Sequence, residues 1–233
     1  VNRFRFPGVE IRARQFRQYP FGASFSHVIG YIGRINQKDI DRIEERGLSA
    51  NYKGTDHIGK MGVEASYEAW LHGRTGIEKV EIESSGRPVR MLSRTPPMAG
   101  HEITLHLDAK LQQVAENTFG EFRGALVALD PRNGGVLALV SKPGFDPNLF
   151  VDGIDPANWS QLNDSPDHPL INRALRGAYP PGSTIKPFMA LAGLELGIRR
   201  PTDTISDPGY YSLPGSSHRF RDWKKDGHGV VDL

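Results

Sequence analysis

Hydrophobic spacing changes several times along the chain, and each change predicts an element. The stretch DIDRIEERGL is polar apart from Ile40 and Ile43, three residues apart, which places both on one face of a helix; Gly47 then suits its C-terminal stop. In GVEASYEAWLHG, Val63, Tyr67, Trp70 and Leu71 recur at i, i+4, i+7 and i+8. That spacing predicts one amphipathic helix with its aromatic residues in the core, ended at Gly73. GIEKVEIESSGRPVRML alternates on both sides of SSGR, the pattern of a hairpin. HEITLHLDAKLQQVAENTF alternates through Ile103, Leu105 and Leu107, then changes period with Leu111 and Val114. A strand followed by a helix is expected there, with Asp108 as the N-cap. GALVALDPRNGGVLALVSKPG places two apolar runs around DPRNGG, a hairpin apolar enough to be buried on both faces. In FDPNLF, Asp146 and Asn148 predict an Asx-type turn with a structural role.

These elements fall into two parts. SRTPPMAG, residues 93–100, has the composition of a linker. Residues 1–100 before it mix short strands with brief helices and read as a scaffold. Residues 101–233 open with strand, helix and hairpin, so the fold class expected is α+β. Near the start, Arg3, Arg5, Arg12, Arg14 and Arg17 alternate with Phe4, Phe6, Val9 and Ile11, the pattern of a strand with one charged face. The net charge of +2, from 29 basic and 27 acidic residues, points to no nucleic-acid partner. Cysteine is absent, which excludes disulfides and thiolate metal sites within the chain. No apolar run approaches the roughly 20 residues of a membrane span. The chain begins at Val1, so an anchor or export signal is expected upstream of it.

The stretch GAYPPGSTIKPFMALAGLELG carries the candidate chemistry. Pro180 and Pro181 suit an extended lead-in and Gly182 a tight entry. Ile185, Met189, Leu191 and Leu194 then form the apolar stripe of a mostly buried helix ending near Gly197. Ser183 and Lys186 share its first turn, which brings the ammonium within reach of the hydroxyl. A serine is a weak nucleophile until a base takes its proton, and a lysine whose pKa is lowered by burial and positive potential is such a base. The helix N-terminus directs backbone N–H groups at developing negative charge. The same spacing also describes a serine helix cap with an exposed lysine one turn on.

S-x-x-K is the nucleophile motif of penicillin-binding proteins and class A β-lactamases. Here the whole surround resembles class B penicillin-binding proteins, and within them the elongation-type penicillin-binding protein 2 group. The matching words are RFPGVE, YPFGASFSHVIGYIG, GKMGVEASYEAWLHGRTG, GHEITLHLDAKLQ, ALVALDPRNGGVLALVSKPGFDPNLFVDGI, NRALRGAYPPGSTIKPF, DPGYYSLPG and RDWKKDGHG, in family order over nearly the whole chain. The resemblance implies that Ser183 attacks the D-Ala-D-Ala bond of a peptidoglycan stem peptide, with Lys186 as acylation base and the Ser183 N–H as half of the oxyanion hole. An amine of a neighbouring stem peptide would resolve the acyl-enzyme into a cross-link, and a β-lactam would trap it. It further implies a non-catalytic, dimerisation-type pedestal in residues 1–100 and the first part of the transpeptidase domain, a sheet flanked by helices, in residues 101–233. The implied partners are a SEDS-type glycosyltransferase and elongation-machinery scaffold proteins, at the periplasmic face of the bacterial inner membrane.

The chain departs from the family pattern in one respect: neither S-x-N nor K-S/T-G follows Ser183. RTG at residues 74–76 lies upstream and reads as a turn. The chain is therefore expected to be an incomplete portion of a longer protein. No cofactor is required for this catalysis. Asp207, Asp222 and His228, however, offer O and N ligands suited to zinc, and some members of the resembled subfamily hold a structural zinc at such a spacing with a cysteine as fourth ligand. Alternatively Asp207 starts a turn, Asp222 pairs with Arg221 or Lys224, and His228 is a loop residue. The other histidines, at 27, 57, 72, 101, 106, 168 and 218, read as satisfied core or surface residues. Two further functional readings stand beside the transpeptidase: a non-catalytic scaffold that binds elongation partners, and a β-lactamase-related penicillin sensor, which the 182 residues before Ser183 disfavour.

Overall fold

The computed structural model describes residues 16–84, 86 and 88–233, and the chain divides after Gly177 into two units, each considered by itself. The charged-face strand expected over residues 3–14 lies outside the described residues.

The first unit includes Tyr19, whose backbone N–H and C=O are both held at 2.9 Å by the Asn148 side-chain amide. Its phenol donates to Glu64 Oε1 at 3.2 Å and accepts from the Ile32 N–H at 2.8 Å. Burial first, and then the Glu64 carboxylate, push that phenol's pKa up. After α1 (Ser26–Ile29), β1 (Ile32–Arg34) leads into α2 (Gln37–Glu45). Asn36 and Asp39 cap α2 reciprocally, each side chain accepting from the other's backbone N–H. Ile43 is buried as expected, whereas Ile40 stays exposed. Gly47, at φ +68°, ends the turn. Next come α3 (Ser49–Tyr52) and β2 (His57–Gly59), which pairs antiparallel with β1.

GVEASYEAWLHG forms two short helices instead of one, α4 (Gly62–Ser66) and α5 (Glu68–Leu71), with Tyr67 between them at φ −111° and ψ 20°. The break ends the common face that the i, i+4 spacing assumed. Tyr67 is therefore exposed, as is Trp70 at 58% of its surface, and Glu64 is the residue that α4 buries. That carboxylate is neutralised by Arg17 at 2.8 Å.

The expected hairpin is present as β3 (Ile77–Ile82) and β4 (Pro88–Thr95). It reaches into the presumed linker, because Ile77 pairs with Thr95 and Glu78 with Arg94. The ladder stops at Pro96 and Pro97, which have no N–H to give. The turn expected at RTG is not formed: Arg74 makes an isolated antiparallel bridge with Met98, and the Thr75 N–H bonds Asn51 Oδ1. Residues 101–108 form no strand, although Ile103, Leu105 and Leu107 are half-buried and their neighbours exposed. Their alternation survives as an extended segment without a paired strand among the described residues.

Asp108 caps α6 (Ala109–Phe119), accepting from Lys110 N at 2.9 Å and Leu111 N at 3.0 Å. The buried face is not the one expected: Gln112 is 1% exposed and Ala115 is buried, while Val114 is 62% exposed. α6 packs on β6 (Val136–Lys142), the antiparallel partner of β5 (Gly124–Leu129). Gln112 Nε2 donates to Leu139 O and Oε1 accepts from Leu139 N, both at 2.9 Å, so the side chain completes the ladder at the β6 edge. The hairpin is buried on one strand more than the other. Ala138 and Val140 on β6 are core, with Phe145, Phe150 and Val151, whereas Val127 and Leu129 on β5 are exposed. Nothing described covers that side of β5, so the two-faced burial expected of both strands is not met.

The Asx turn forms as expected, Asp146 Oδ1 accepting from Asn148 N at 2.9 Å. α7 (Pro156–Asn163) and α8 (Arg173–Arg176) complete the unit, capped by Asp155 and Asn172. The second unit contains α9 (Lys186–Glu195), with β7 (Ile205–Asp207) paired to β10 (Gly229–Val231) and β8 (Tyr210–Ser212) to β9 (Arg219–Arg221), both antiparallel. Helices and antiparallel pairs without βαβ units make the fold α+β.

Candidate active site

Ser183 does not lie in the α-helix itself. It sits on a 3-10 turn, Gly182–Ile185, that precedes α9 and is entered through Gly182 at φ +55°. The Lys186 N–H donates to the Ser183 carbonyl across this turn. In a 3-10 turn residues three apart eclipse one another, so the serine and lysine side chains leave the backbone on the same edge. Thr184 closes the turn from the other side, its N–H donating to Pro181 O at 3.2 Å and its hydroxyl to the same oxygen. Pro187 enters the first turn of α9, where its missing N–H costs nothing.

Ser183 and Lys186 are both exposed, and of the stripe expected to be buried Ile185, Met189 and Leu191 are exposed, Leu191 at 63%, while Leu194 is half-buried. The second unit has only two short strand pairs besides α9. Its described residues cover neither the stripe nor the lysine, so the burial invoked to activate Lys186 is not supplied within this unit.

Asp207, Asp222 and His228 do come together, with one ligand atom of each within 4.8 Å of the others. β7 and β10 bring Asp207 and His228 side by side: His228 Nδ1 lies 3.0 Å from Asp207 Oδ2, which also accepts the His228 N–H at 2.9 Å. Asp222 Oδ2 is 3.5 Å from the same ring nitrogen. Backbone crossing forces this approach. Gly209 and Gly227 have positive φ, and a Cβ on Gly227 would lie 2.1 Å from the Asp207 carbonyl oxygen. Asp207 also starts a turn, accepting the Gly209 N–H at 2.8 Å. That bond, and then the one from His228, hold its carboxyl below the usual carboxylate range. Asp222 takes the Lys224 backbone N–H at 3.3 Å. The turn reading and the cluster reading thus describe the same loop.

Lys186 and the three cluster residues line one cleft of about 660 Å³. Part of its remaining wall is aromatic, with Tyr211, Phe220 and Trp223, and Trp223 packs edge-on to His228 at 5.5 Å. Sequence reasoning missed this wall, although the polar and apolar alternation of RFR marks β9. His72 meets the satisfied-histidine expectation, with Asn51 at 3.2 Å and Thr55 at 3.3 Å. His27 does not, because both of its buried ring nitrogens lack a hydrogen bond.

Residues 1–105 match the penicillin-binding protein dimerisation domain, and residues 124–233 match the penicillin-binding protein transpeptidase domain. The chain belongs to the penicillin-binding proteins. The peptidoglycan D,D-transpeptidase MrdA of Escherichia coli K12 is 52% identical over 233 residues, all of this chain and 37% of that protein. Its counterpart in Acinetobacter baumannii is 52% identical over 231 residues, 99% of this chain and 34% of that one. Two solved structures are similar as well. Pseudomonas aeruginosa PBP2 in complex with WCK 5153 has a TM-score of 0.77 and 46% identity, over 93% of this chain and 43% of that one. The complex between PBP2 and MreC from Helicobacter pylori gives 0.78 and 35%, over 94% of this chain and 39% of that one. This chain thus spans little more than a third of the curated relatives it matches. In the penicillin-binding protein, the Ser183 turn, α9 and the cluster all lie within the transpeptidase match.

Proposed function

We propose that this chain carries the acylating part of a peptidoglycan D,D-transpeptidase, with Ser183 as nucleophile and Lys186 as base. The reading is supported by the Gly182–Ile185 3-10 turn, across which the Lys186 N–H bonds the Ser183 carbonyl, in a chain 52% identical over its length to a named D,D-transpeptidase. In the reaction the Ser183 hydroxyl loses its proton to the Lys186 amine as Oγ bonds to the penultimate D-Ala carbonyl carbon. The C–N bond to terminal D-Ala breaks, and the leaving amine takes the proton from Lys186. The amine of a second stem peptide then attacks the ester, and the serine oxygen leaves with a proton to complete the cross-link. The Ser183 N–H would provide half of the oxyanion hole. A β-lactam enters the same first step and remains as a stable ester.

The proposal includes the division of labour near residue 100, with a pedestal before it and catalytic domain after it. It places the enzyme at the periplasmic face of the inner membrane. It also gives the pedestal scaffold partners, for which the H. pylori complex with MreC is the support, and a SEDS-type glycosyltransferase. Asp207, Asp222 and His228 would hold a structural zinc. The fit rests on the donor set, two carboxylates and one imidazole with ligand atoms within 4.8 Å of one another. Bound there, zinc would supply a cross-link between the β7–β10 pair and the loop after β9, and no step of acyl transfer passes through it.

Intact mass after exposure to a labelled penicillin tests the central assignment. One adduct per chain, lost in Ser183→Ala, is expected. No adduct on a sample whose mass matches these 233 residues would favour the second reading, a non-catalytic scaffold that binds elongation partners.

A further inference from the structure

His27 lies on α1, 6% exposed, where the N-terminal part of the first unit meets residues 141–173. Its ring packs edge-on to Phe145 at 5.3 Å. The carbonyls of Pro143 and Pro169 lie near the ring and act on it, and neither ring nitrogen makes a hydrogen bond of good geometry. The adjacent Ser26 hydroxyl is also buried and unpartnered. A neutral imidazole has one N–H and one lone pair, so it matches only one of two acceptor carbonyls. An imidazolium would match both, but it would be a buried charge without a counter-ion. Arg173 on α8 acts on the ring with the same sign, and Lys142 beside Pro143 is basic too. The carboxylate of α4, Glu64, is already engaged by Arg17 and Tyr19. Burial foremost, with Arg173 assisting and the two carbonyls opposing, holds the ring below the ordinary histidine value of 6.5.

The same residue ties two distant segments together. Its backbone carbonyl accepts from Asn172 Nδ2 at 3.2 Å across 145 residues, and Asn172 Oδ1 in turn caps α8 through the Leu175 N–H. Arg173 continues the seam, its N–H donating to Ser141 Oγ on β6 at 2.9 Å. If α1 shifts as the ring is expelled, the His27 carbonyl is drawn from Asn172, which frees the side chain that caps the helix ending seven residues before Ser183.

We propose that His27 is a proton-operated latch: neutral, it seats α1 against Pro143, Phe145 and Asn172, and on protonation it leaves the seam and releases α8. The sign follows from linkage. A ring that titrates lower in the closed state than in the open state stabilises closure above about pH 6.5, and that contribution falls as pH drops below it. If the open state has the ordinary value and the closed state stays neutral, opening gains about tenfold between pH 7.5 and pH 5.5.

Hydrogen exchange on the 233-residue chain, corrected for the intrinsic pH dependence of amide exchange, reads this directly at the amides of Leu175, Arg176 and Gly177. Their protection is expected to fall by up to about tenfold from pH 7.5 to 5.5 in the wild type and to stay level in His27→Gln. Equal protection at both pH values in the wild type, or the same fall in His27→Gln, would overturn the latch. Should the variant fail to fold, deuterium exchange at the imidazole C2 position of wild-type His27 decides. A midpoint below 6.5 supports the proposal and one at or above 6.5 refutes it. Neither readout depends on the role assigned to Ser183.

Discussion

At the scale of single residues, the decisive contacts are polar groups in apolar surroundings and glycines where backbones cross. Gln112 is the clearest case, because its side-chain amide pairs with both backbone groups of Leu139 at once. Gln112→Leu keeps the volume and helix propensity but strands a buried N–H and C=O. A loss of about 2–4 kcal/mol is expected in denaturant unfolding, whereas Val114→Ala on the exposed face should change it by less than about 1 kcal/mol. Gly30 makes a second test. It has φ +76°, and a Cβ there would stand 1.9 Å from the Met61 carbonyl oxygen. Gly30→Ala should therefore cost at least about 2 kcal/mol, since both the conformation and the space forbid the methyl. The Asp108 cap was legible in the sequence, because a cap is a local chemical event within three residues. The choice of Gln112 over Leu111 for the core was not, because it depends on an edge of β6 that lies 27 residues away.

At the scale of elements, short helices depend on their ends. α2 has nine residues and a reciprocal cap between Asn36 and Asp39, with Lys60 reaching across to the same Asp39 carboxylate. Asn36→Ala is expected to lower stability by about 1 kcal/mol, measured as a shift in the denaturant midpoint at unchanged slope. α9 behaves differently, because its apolar stripe is open within its own unit. Replacing Phe188 by Ser should shift stability in this chain by no more than about 0.5 kcal/mol, while the same change in a buried helix would cost several times that. Hairpins were read correctly at β3–β4 and β5–β6, where turn residues and alternation agree. GVEASYEAWLHG was read incorrectly, because its spacing fits one helix while Glu64, drawn inward to Arg17 and Tyr19, and the break at Tyr67 divide it into two.

At the scale of the whole molecule, two family domains share one chain that covers about 37% of the E. coli relative. The metal reading belongs here, because Asp207, Asp222 and His228 come from three places along the second unit. Added zinc should raise the unfolding midpoint of the chain, by the equivalent of about 2.7 kcal/mol at a hundredfold excess over Kd. Asp222→Ala should abolish that rise and the bound metal detected by elemental analysis. Unchanged melting with no retained metal would remove zinc from the site and leave the loop as a turn. What the sequence by itself determined were features carried by neighbouring residues: the cap at Asp108, the Asx turn at Asp146, the hairpins, the i, i+3 relation of Ser183 and Lys186, and the ordered words that mark the penicillin-binding family. Tertiary structure alone decided which side of each element is covered: Gln112 inward, Trp70 and Phe188 outward, His27 buried near two carbonyls, and Lys186 in one cleft with the carboxylate–histidine cluster. The physical reason is range. Capping and turn conformation are settled within a few residues, whereas burial and charge pairing depend on partners that only the folded chain brings near.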